Sequence, residues 1–241
     1  MIRVIWTYWE GRRSALVAAC IASWCEHMPD WEIHVLNDRD VEEKGFPLPT
    51  FYRQLSPQLK SDVARLMLLC ASGGLWLDAT VFLKGPIQWP EHVDRLPYWG
   101  CLYKAEHPES WLLLAANAND AHMCLWRDSF IQLLHARFPN VPYYCIYDAF
   151  KGLARSSAAF RKTFEALPLQ AVTQGNGLYS IFRPLSMHRV NFIKLTSTDR
   201  ILHRFLCFPS VYVIGVVFLL ALLILRGLSR NLRGDVPSGK M

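Results

Sequence analysis

One helix–strand pair in the first third of the chain constrains its fold more than any other feature. Ser56 and Pro57 are a typical helix start, because a serine side chain caps free backbone N–H groups and proline suits the first helical position. The glycines Gly73 and Gly74 predict the end of that helix, and the apolar run behind them predicts a strand that leads into Asp78. A buried strand that ends in an acid is a candidate binding site.

A β-α-β unit precedes this pair. β-Branched and aromatic residues predict a strand at 2–8, apolar residues at helical spacing follow Ser14, and alternation at 31–36 predicts a second strand. Such a crossover makes the two strands parallel, and ligands of open parallel sheets bind at the carboxyl ends of the strands. The fold class is therefore predicted as α/β, with a mostly parallel sheet flanked by helices. Three further helices are predicted at 121–138, 143–154 and 157–167.

Charge and motifs exclude several function classes. The net charge is +6, but the basic residues are scattered and become dense only near an apolar run at the C-terminal end, so we expect a membrane surface rather than nucleic acid as the partner. The chain has neither G-x-G-x-x-G nor G-x-x-x-x-G-K-[ST], which disfavours a dinucleotide oxidoreductase and a P-loop NTPase. G-x-S-x-G and H-E-x-x-H are also missing, which disfavours a serine hydrolase and a zincin.

The apolar run at 205–225 carries no charged residue and is predicted to be a transmembrane helix. At about 1.5 Å per residue it matches the bilayer core of about 30 Å, and the alternative is a buried core helix. Lys and Arg flank it on both sides and do not fix its orientation. We expect a catalytic domain at 1–196 in the cytosol, a basic linker at 197–204, this single span, and a short basic tail at 226–241.

The seven cysteines include no C-x-x-C pair, and several occupy apolar positions of predicted helices. This pattern is typical of small buried side chains in a reducing compartment. We therefore expect neither a disulfide nor a zinc site.

Asp62 and Arg65 lie three residues apart on the predicted helix and therefore share a face. One interpretation is an exposed ion pair, which would contribute only about 0.3–0.5 kcal/mol. The other is a binding site, in which Asp62 accepts hydrogen bonds from sugar hydroxyls and Arg65 binds the sugar or a phosphate through its paired donors.

Asp78 is the candidate metal ligand. Carboxylates at a strand end supply the hard oxygen ligands that Mg²⁺ and Mn²⁺ prefer, and Thr80 could reach the same ion directly or through water. We expect the strand to continue through Thr80, which would put Trp76, Asp78 and Thr80 on one face. The alternative for Asp78 is an acid that caps a turn. Trp9 and Trp76 are candidates to stack on a nucleobase, and the alternative is ordinary core packing.

Several segments together resemble a known family. They are Ile5–Gly11, Ser23–Trp24, Pro29–Ile33, Leu55–Pro57, Lys60–Asp62 and Gly73–Leu83, with later echoes at Ser110–Trp111, Tyr143–Phe150 and Lys194–Thr196. The chain resembles the capsular polysaccharide synthesis protein family over about residues 2–196, densely up to Leu83 and thinly beyond. That family is similar to glycosyltransferase family 32 and, more distantly, to the clostridial toxin glucosyltransferases.

The resemblance implies a GT-A fold, a nucleotide-sugar donor, a divalent metal and retention of anomeric configuration. By position, it implies that Trp9 stacks on the nucleobase and that Asp62 and Arg65 bind the donor sugar. It also implies that Trp76 lines the nucleotide pocket and that Asp78 opens the metal motif.

The metal motif departs from the pattern of the wider group. Family 32 usually shows D-x-D, whereas this chain reads Asp78-Ala79-Thr80 and in this resembles the capsular branch. Three later residues are weaker candidates: Asp148 for an acceptor contact or catalysis, His188 for a metal or phosphate, and Lys194 for a phosphate. The alternatives are a helix-surface acid for Asp148 and a surface residue for His188.

We therefore predict a metal-dependent glycosyltransferase with Mn²⁺ or Mg²⁺. It would move a sugar from a nucleotide-diphosphate donor, first of all a UDP-sugar, to a glycan or glycolipid acceptor held near membrane lipid. One alternative is a catalytically silent, membrane-anchored module that binds a nucleotide or a partner protein. Another is a membrane-bound nucleotidyl- or phosphotransferase with the same carboxylate–metal chemistry.

Overall fold

The computed structural model describes residues 1–103, 106–171 and 192–194. The chain divides into two units, Met1–Leu195 and Thr196–Met241, and all helices and strands of the described residues belong to the first. The predicted linker, span and tail lie outside the described residues. Among the residues that are described, no helix has the length and apolar character needed to cross a bilayer.

The described part of the first unit contains eight strands and six α-helices. The strands are β1 (Val4–Tyr8), β2 (Glu32–Leu36), β3 (Gly74–Leu77), β4 (Val81–Leu83), β5 (Trp99–Tyr103), β6 (His107–Ala115), β7 (Gln170–Ala171) and β8 (Phe192–Lys194). The helices are α1 (Ala15–His27), α2 (Asp38–Glu43), α3 (Pro57–Ser72), α4 (Ala121–Arg137), α5 (Cys145–Ser156) and α6 (Ala158–Glu165). The three helices predicted downstream of β6 are therefore present, with boundaries that differ by at most two residues.

Six strands form one mixed sheet in the order β2-β1-β3-β6-β5-β7. β1 runs parallel to both β2 and β3, and β5 runs parallel to β7, whereas β6 is antiparallel to its two neighbours. Three of the five pairings are thus parallel, which confirms the predicted α/β class and the parallel β-α-β unit. β4 and β8 form a separate antiparallel ribbon in which Val81 lies opposite Lys194.

Local signals place α3 as predicted. The Ser56 hydroxyl accepts a hydrogen bond from the Leu59 N–H at 3.4 Å, and Pro57 occupies the first turn. At the other end, Gly73 and Gly74 have φ of +66° and +97°, values that L side chains rarely adopt. A Cβ on Gly74 would also lie 2.8 Å from the backbone oxygen of Val4, so β3 can enter the sheet beside β1 only with glycine at that position.

Alternate side chains of the central strands pack in two hydrophobic cores on opposite faces of the sheet. Trp76 packs in a core beneath α3, α4, α5 and α6. Leu75 and Leu77 pack in a second core with α1, where the Trp24 indole N–H donates to the Val81 carbonyl at 2.7 Å. This layering leaves the carboxyl ends of β1, β2 and β3 at one edge of the sheet, because the three strands are parallel.

The prediction of no disulfide is wrong. Cys70 of α3 and Cys124 of α4 form a disulfide with Cα atoms 5.2 Å apart and 54 positions of chain between them. Helical spacing placed Cys70 correctly on a buried face, but the pairing depends on α4 packing against α3, which no local pattern reveals. The part of the chain that the structure describes also has four free cysteines, Cys20, Cys25, Cys101 and Cys145, of which Cys25 is exposed.

The strand after Gly74 is shorter than predicted. β3 ends at Leu77, and the Val81 N–H donates to the Asp78 carbonyl at 2.8 Å across a turn. Because the extended conformation stops there, strand alternation does not put Thr80 on the face of Trp76 and Asp78. The turn instead lets β4 leave the sheet and pair with β8.

Candidate functional site

Asp78 is the centre of the candidate site, at the carboxyl end of β3. Its backbone N–H donates to the Trp111 carbonyl at 2.9 Å, which fixes it to β6. One carboxylate oxygen, Oδ1, accepts from Arg65 Nη2 at 2.8 Å and from Trp76 Nε1 at 2.9 Å. The other, Oδ2, is paired with Lys194 Nζ. Burial opposes ionisation, but Lys194 and Arg65 outweigh it and hold the pKa of Asp78 well below its usual range.

Asp62 and Arg65 form a buried ion pair on α3, with Arg65 Nη1 donating to Asp62 Oδ1. The exposed fractions are 8% for Asp62 and 3% for Arg65, so the interpretation as an exposed surface pair is wrong. Burial raises the pKa of Asp62 to about 6, although Arg65 lowers it, and Asp78 raises it further. Arg65 therefore bridges the two carboxylates, with its guanidinium 4.9 Å from the centre of the Trp76 ring.

The Arg65 Nε atom is buried and has no hydrogen-bond partner among the described residues. Its other two nitrogens are committed to Asp62 and Asp78. A buried N–H without an acceptor is costly, so a ligand oxygen beside this atom would be stabilised. Arg65 is thus a fixed cation with an Nε–H that no described acceptor satisfies.

The pairing of β4 with β8 positions Lys194 next to Asp78. Val81 follows Asp78 by three residues and lies opposite Lys194 in the ribbon. The side chains of Lys194 and Asp78 form an ion pair, and about a quarter of each is exposed. The pairing spans 116 positions of sequence. The resemblance had suggested Lys194 for a phosphate, and its ammonium group is a second fixed cation beside Arg65.

Glu109, Ser110 and Tyr147 form a polar group next to Asp78 that the sequence analysis did not single out. The Tyr147 hydroxyl donates to Glu109 Oε2 at 3.2 Å and lies 3.0 Å from Ser110 Oγ. Burial raises the pKa of Glu109, opposed by hydrogen bonds from Tyr147 and Trp111. Ser110 immediately precedes Trp111, whose carbonyl holds Asp78, so the group adjoins the candidate site.

The only sequence signal for this group was the resemblance at Ser110–Trp111 and Tyr143–Phe150. Nothing in the local pattern of β6 separates Glu109 from other acids, because its burial comes from the packing of α5 against the sheet. The candidate chosen from the same segment was Asp148. In the structure Asp148 pairs with Arg137 at 2.5 Å, with 43% of its side chain exposed.

A second polar cluster lies at the carboxyl ends of β1 and β2. Asp38 accepts hydrogen bonds from the hydroxyls of Tyr8 at 2.6 Å and Tyr52 at 3.3 Å, and pairs with Lys60 Nζ at 2.5 Å. The Asp38 N–H donates to Glu10 at 3.1 Å. The rule that ligands bind at parallel strand ends predicts a site at this edge, but Trp9 is the one residue there with a role predicted from sequence.

The remaining predicted residues are placed as follows. Trp9 is half-buried after β1, and its indole N–H donates to the Arg12 carbonyl at 3.4 Å. Trp76 is fully buried beneath Asp78, and Thr80 is buried in the turn after it. His188 lies outside the described residues. The predicted contacts of Trp9 and Trp76 with a nucleotide stay predictions.

The described donor atoms do not make a metal site on their own. Within the described ranges, no group of three or more His, Cys, Asp or Glu side chains is arranged to hold a metal ion. Asp78 is the one acid in the segment Asp78-Ala79-Thr80. Both of its carboxylate oxygens already accept hydrogen bonds, from Arg65 and the Trp76 indole at Oδ1 and from Lys194 at Oδ2. A divalent cation at Asp78 would have to replace Arg65 or Lys194 as the partner of that carboxylate.

Comparison with known proteins gives a family match and distant similarities to solved structures. A family model described as capsular polysaccharide synthesis protein matches residues 1–176. The structure titled PaToxG glycosyltransferase is similar with a TM-score of 0.47 and 14% identity, over 68% of this chain and 73% of that one. The apo-form glycosyltransferase GlyE of Streptococcus pneumoniae TIGR4 is similar with a TM-score of 0.41 and 16% identity. That alignment covers 72% of this chain and 55% of GlyE, and no curated protein sequence matches.

Proposed function

Because the chain belongs to the capsular polysaccharide synthesis protein family, we propose that it is a glycosyltransferase of polysaccharide synthesis. It moves a sugar from a nucleotide-diphosphate donor, first of all a UDP-sugar, to a glycan or glycolipid acceptor. The observation that carries the proposal is the arrangement around Asp78, where two fixed cations and a buried acid converge at the carboxyl end of β3.

The chemistry of sugar transfer explains why such an arrangement is useful. Cleavage of the bond between sugar and diphosphate builds negative charge on the departing phosphate, and fixed positive groups stabilise that charge in the transition state. Arg65 and Lys194 are held in place by Asp78, so little reorganisation is needed when the charge develops. The Asp62 carboxylate, held by Arg65, offers an acceptor to a sugar hydroxyl.

Metal dependence stays an expectation of the resemblance. When bound, Mn²⁺ or Mg²⁺ would neutralise phosphate charge as a Lewis acid. Since the described donors do not form a set for it, the proposed mechanism assigns the charge stabilisation to Arg65 and Lys194. Retention of anomeric configuration and the GT-A assignment likewise stay proposals, and proton NMR of the product tests the first.

We further propose that the span at 205–225 anchors the protein in a membrane, near lipid-linked acceptors. The absence of charge over a length that matches the bilayer core supports this. A cytosolic site was expected partly because no disulfide was expected, and the Cys70–Cys124 bond removes that ground.

A silent nucleotide-binding module is the second candidate function. It is favoured by one observation, that both oxygens of Asp78 are already engaged by side chains of the protein. Turnover decides between the two, since a silent module can bind a nucleotide but does not release nucleoside diphosphate from a sugar donor.

The test is release of nucleoside diphosphate from UDP- and GDP-sugars by the full chain in detergent, with Mn²⁺ or with EDTA. Asp78→Asn should reduce turnover at least about 100-fold, because it removes the charge that orients both cations. Asp128→Asn is the matched control, since Asp128 also pairs with one arginine, Arg127, and 55% of its side chain is exposed. Turnover that survives EDTA would argue against metal dependence only. No turnover with any donor, together with retained nucleotide binding, would favour the silent module.

A further inference from the structure

Two neighbouring tyrosines present an exposed aromatic surface just before α5. The exposed large apolar side chains among the described residues are Met1, Leu125, Tyr143 and Tyr144. Tyr143 and Tyr144 are 61% and 63% exposed, and their rings meet edge to face with centres 4.8 Å apart. They are the one place in that set where two such side chains are adjacent. An exposed apolar surface of this kind marks a candidate interaction site.

The backbone beneath the pair is well fixed. The Cys145 N–H donates to the Pro142 carbonyl at 3.1 Å, and the Tyr144 carbonyl accepts from Tyr147 and Asp148 at 3.0 and 3.2 Å. Large aromatic side chains on a fixed backbone lose little conformational entropy on binding, because only two side-chain torsions must be ordered. The exposed rings are therefore prepared to bind a ligand rather than to fill a core.

A short series of contacts connects the pair to the candidate site. The Tyr144 ring stacks on Tyr147 with centres 6.1 Å apart, and the Tyr147 hydroxyl accepts from the Ser110 N–H at 3.3 Å. Trp111, the next residue, holds the Asp78 N–H. The carboxylates of Asp62 and Asp78 also raise the pKa of the Tyr143 hydroxyl, after a larger effect of partial burial.

We propose that Tyr143 and Tyr144 form the acceptor subsite, where a neutral sugar ring of the acceptor glycan stacks on the aromatic rings. The inference rests on the proposed function, because an acceptor exists only if the protein transfers sugar. Each tyrosine offers an apolar face for the C–H groups of a pyranose and a hydroxyl at its tip for the hydroxyl groups of the sugar. The connection to Asp78 through Tyr147, Ser110 and Trp111 would place the acceptor within reach of a donor held by Arg65 and Lys194.

The test combines binding with transfer in the full chain in detergent. Saturation-transfer NMR with methyl glucosides, methyl galactosides, maltose and lactose should show contact with the wild type. Replacing both tyrosines, Tyr143→Ala with Tyr144→Ala, should raise the acceptor KM or the dissociation constant of the responding sugar about tenfold. Donor hydrolysis without acceptor should stay within about twofold, because the hydrogen bonds and ion pairs of the Asp78 carboxylate in the described structure come from Arg65, Trp76 and Lys194 and not from either tyrosine.

Two further variants keep the test specific. Tyr143→Phe with Tyr144→Phe should retain most of the sugar binding, since the rings remain. Leu125→Ala removes another exposed apolar side chain, on α4, and should change nothing. Unchanged binding in the alanine variant, or no sugar contact in the wild type, would overturn the proposal. A change of oligomeric state at unchanged sugar affinity would assign the pair to a protein contact and would also overturn it.

The same experiment separates this inference from the proposed function. If no donor is turned over but sugars still contact Tyr143 and Tyr144 and lose that contact in the alanine variant, the pair binds sugar, but the transferase assignment fails and with it the role of the pair as an acceptor subsite. If donors are turned over and transfer does not depend on the tyrosines, the transferase stands and the subsite fails.

Discussion

Asp62 is a buried carboxyl group on α3. Burial raises its pKa to about 6, above the value of about 3.9 for an aspartate in an unfolded chain. Between these two values the folded state binds more protons than the unfolded state, so the free energy of unfolding falls as pH rises. The contribution is fully present below about pH 4 and is lost by about pH 6.

We expect Asp62→Asn to remove this pH dependence. From pH 4 to pH 7, the unfolding free energy of the wild type should fall relative to that of the variant by about 1–3 kcal/mol. Urea unfolding across that range measures the difference, and Asp148→Asn serves as the control at an exposed acid. Parallel curves for the wild type and Asp62→Asn would contradict the prediction. Nucleotide-sugar turnover in the same samples would show whether Asp62 must be ionised for activity.

At the scale of elements, the entry of β3 into the sheet depends on Gly74. Its φ is +97°, and an added Cβ would lie 2.8 Å from the Val4 oxygen and 2.9 Å from Trp6 Nε1. Backbone atoms cannot move aside easily, so Gly74→Ala should reduce the unfolding free energy by about 2–3 kcal/mol or prevent folding.

Gly152 provides the matched control for Gly74. It lies inside α5 with open space around a Cβ, so Gly152→Ala should raise the unfolding free energy by up to about 1 kcal/mol. Thermal unfolding of the two variants compares the same substitution in two backbone environments. Equal midpoints would show that the close approach of β3 and β1 is relieved at little cost.

The disulfide between Cys70 and Cys124 joins α3, which carries Asp62 and Arg65, to α4. It closes a loop of 54 positions. For a loop of this length the chain-entropy model predicts a stabilisation of the folded state by about 4 kcal/mol, and disulfides typically contribute about 2–4 kcal/mol. Cys124→Ser should lower the free energy of unfolding by about 2–4 kcal/mol in the absence of reductant. Dithiothreitol should lower the free energy of unfolding of the wild type by a similar amount. Cys25→Ser, at an exposed free cysteine, should change it by less than about 0.5 kcal/mol. A wild-type midpoint that does not respond to dithiothreitol would contradict the assignment.

At the scale of the whole molecule, the chain combines an α/β unit with the predicted membrane span. A charged residue in the middle of a span costs about 2.5–3.5 kcal/mol on insertion scales. Val216→Arg should therefore move much of the protein from the carbonate-resistant membrane fraction to the soluble or aggregated fraction. Ser229→Arg, a basic substitution beyond the span, should leave the distribution unchanged. If Val216→Arg remains carbonate-resistant, the span is not the anchor.

Local physics allowed a large part of the first unit to be predicted. The start and end of α3 follow from Ser56, Pro57 and the paired glycines, because capping and backbone conformation act within a few residues. The parallel arrangement of β1 and β2 follows from the helix between them. The meeting of Asp62 and Arg65 follows from helical spacing, although their burial did not, since it depends on what packs against α3.

Tertiary structure alone decided the partners of those residues. Lys194 reaches Asp78 across 116 positions, Tyr147 reaches Glu109 across 38, and Cys70 reaches Cys124 across 54. No periodicity or cap extends over such distances, so these contacts arise only when distant segments pack against the same sheet. The sequence by itself therefore determined the elements, the family and most of the charged residues at the candidate site. The fold determined that Asp78 is held between two cations and that Tyr147 connects two exposed tyrosines to the candidate site, because burial and long-range pairing are properties of the assembled chain.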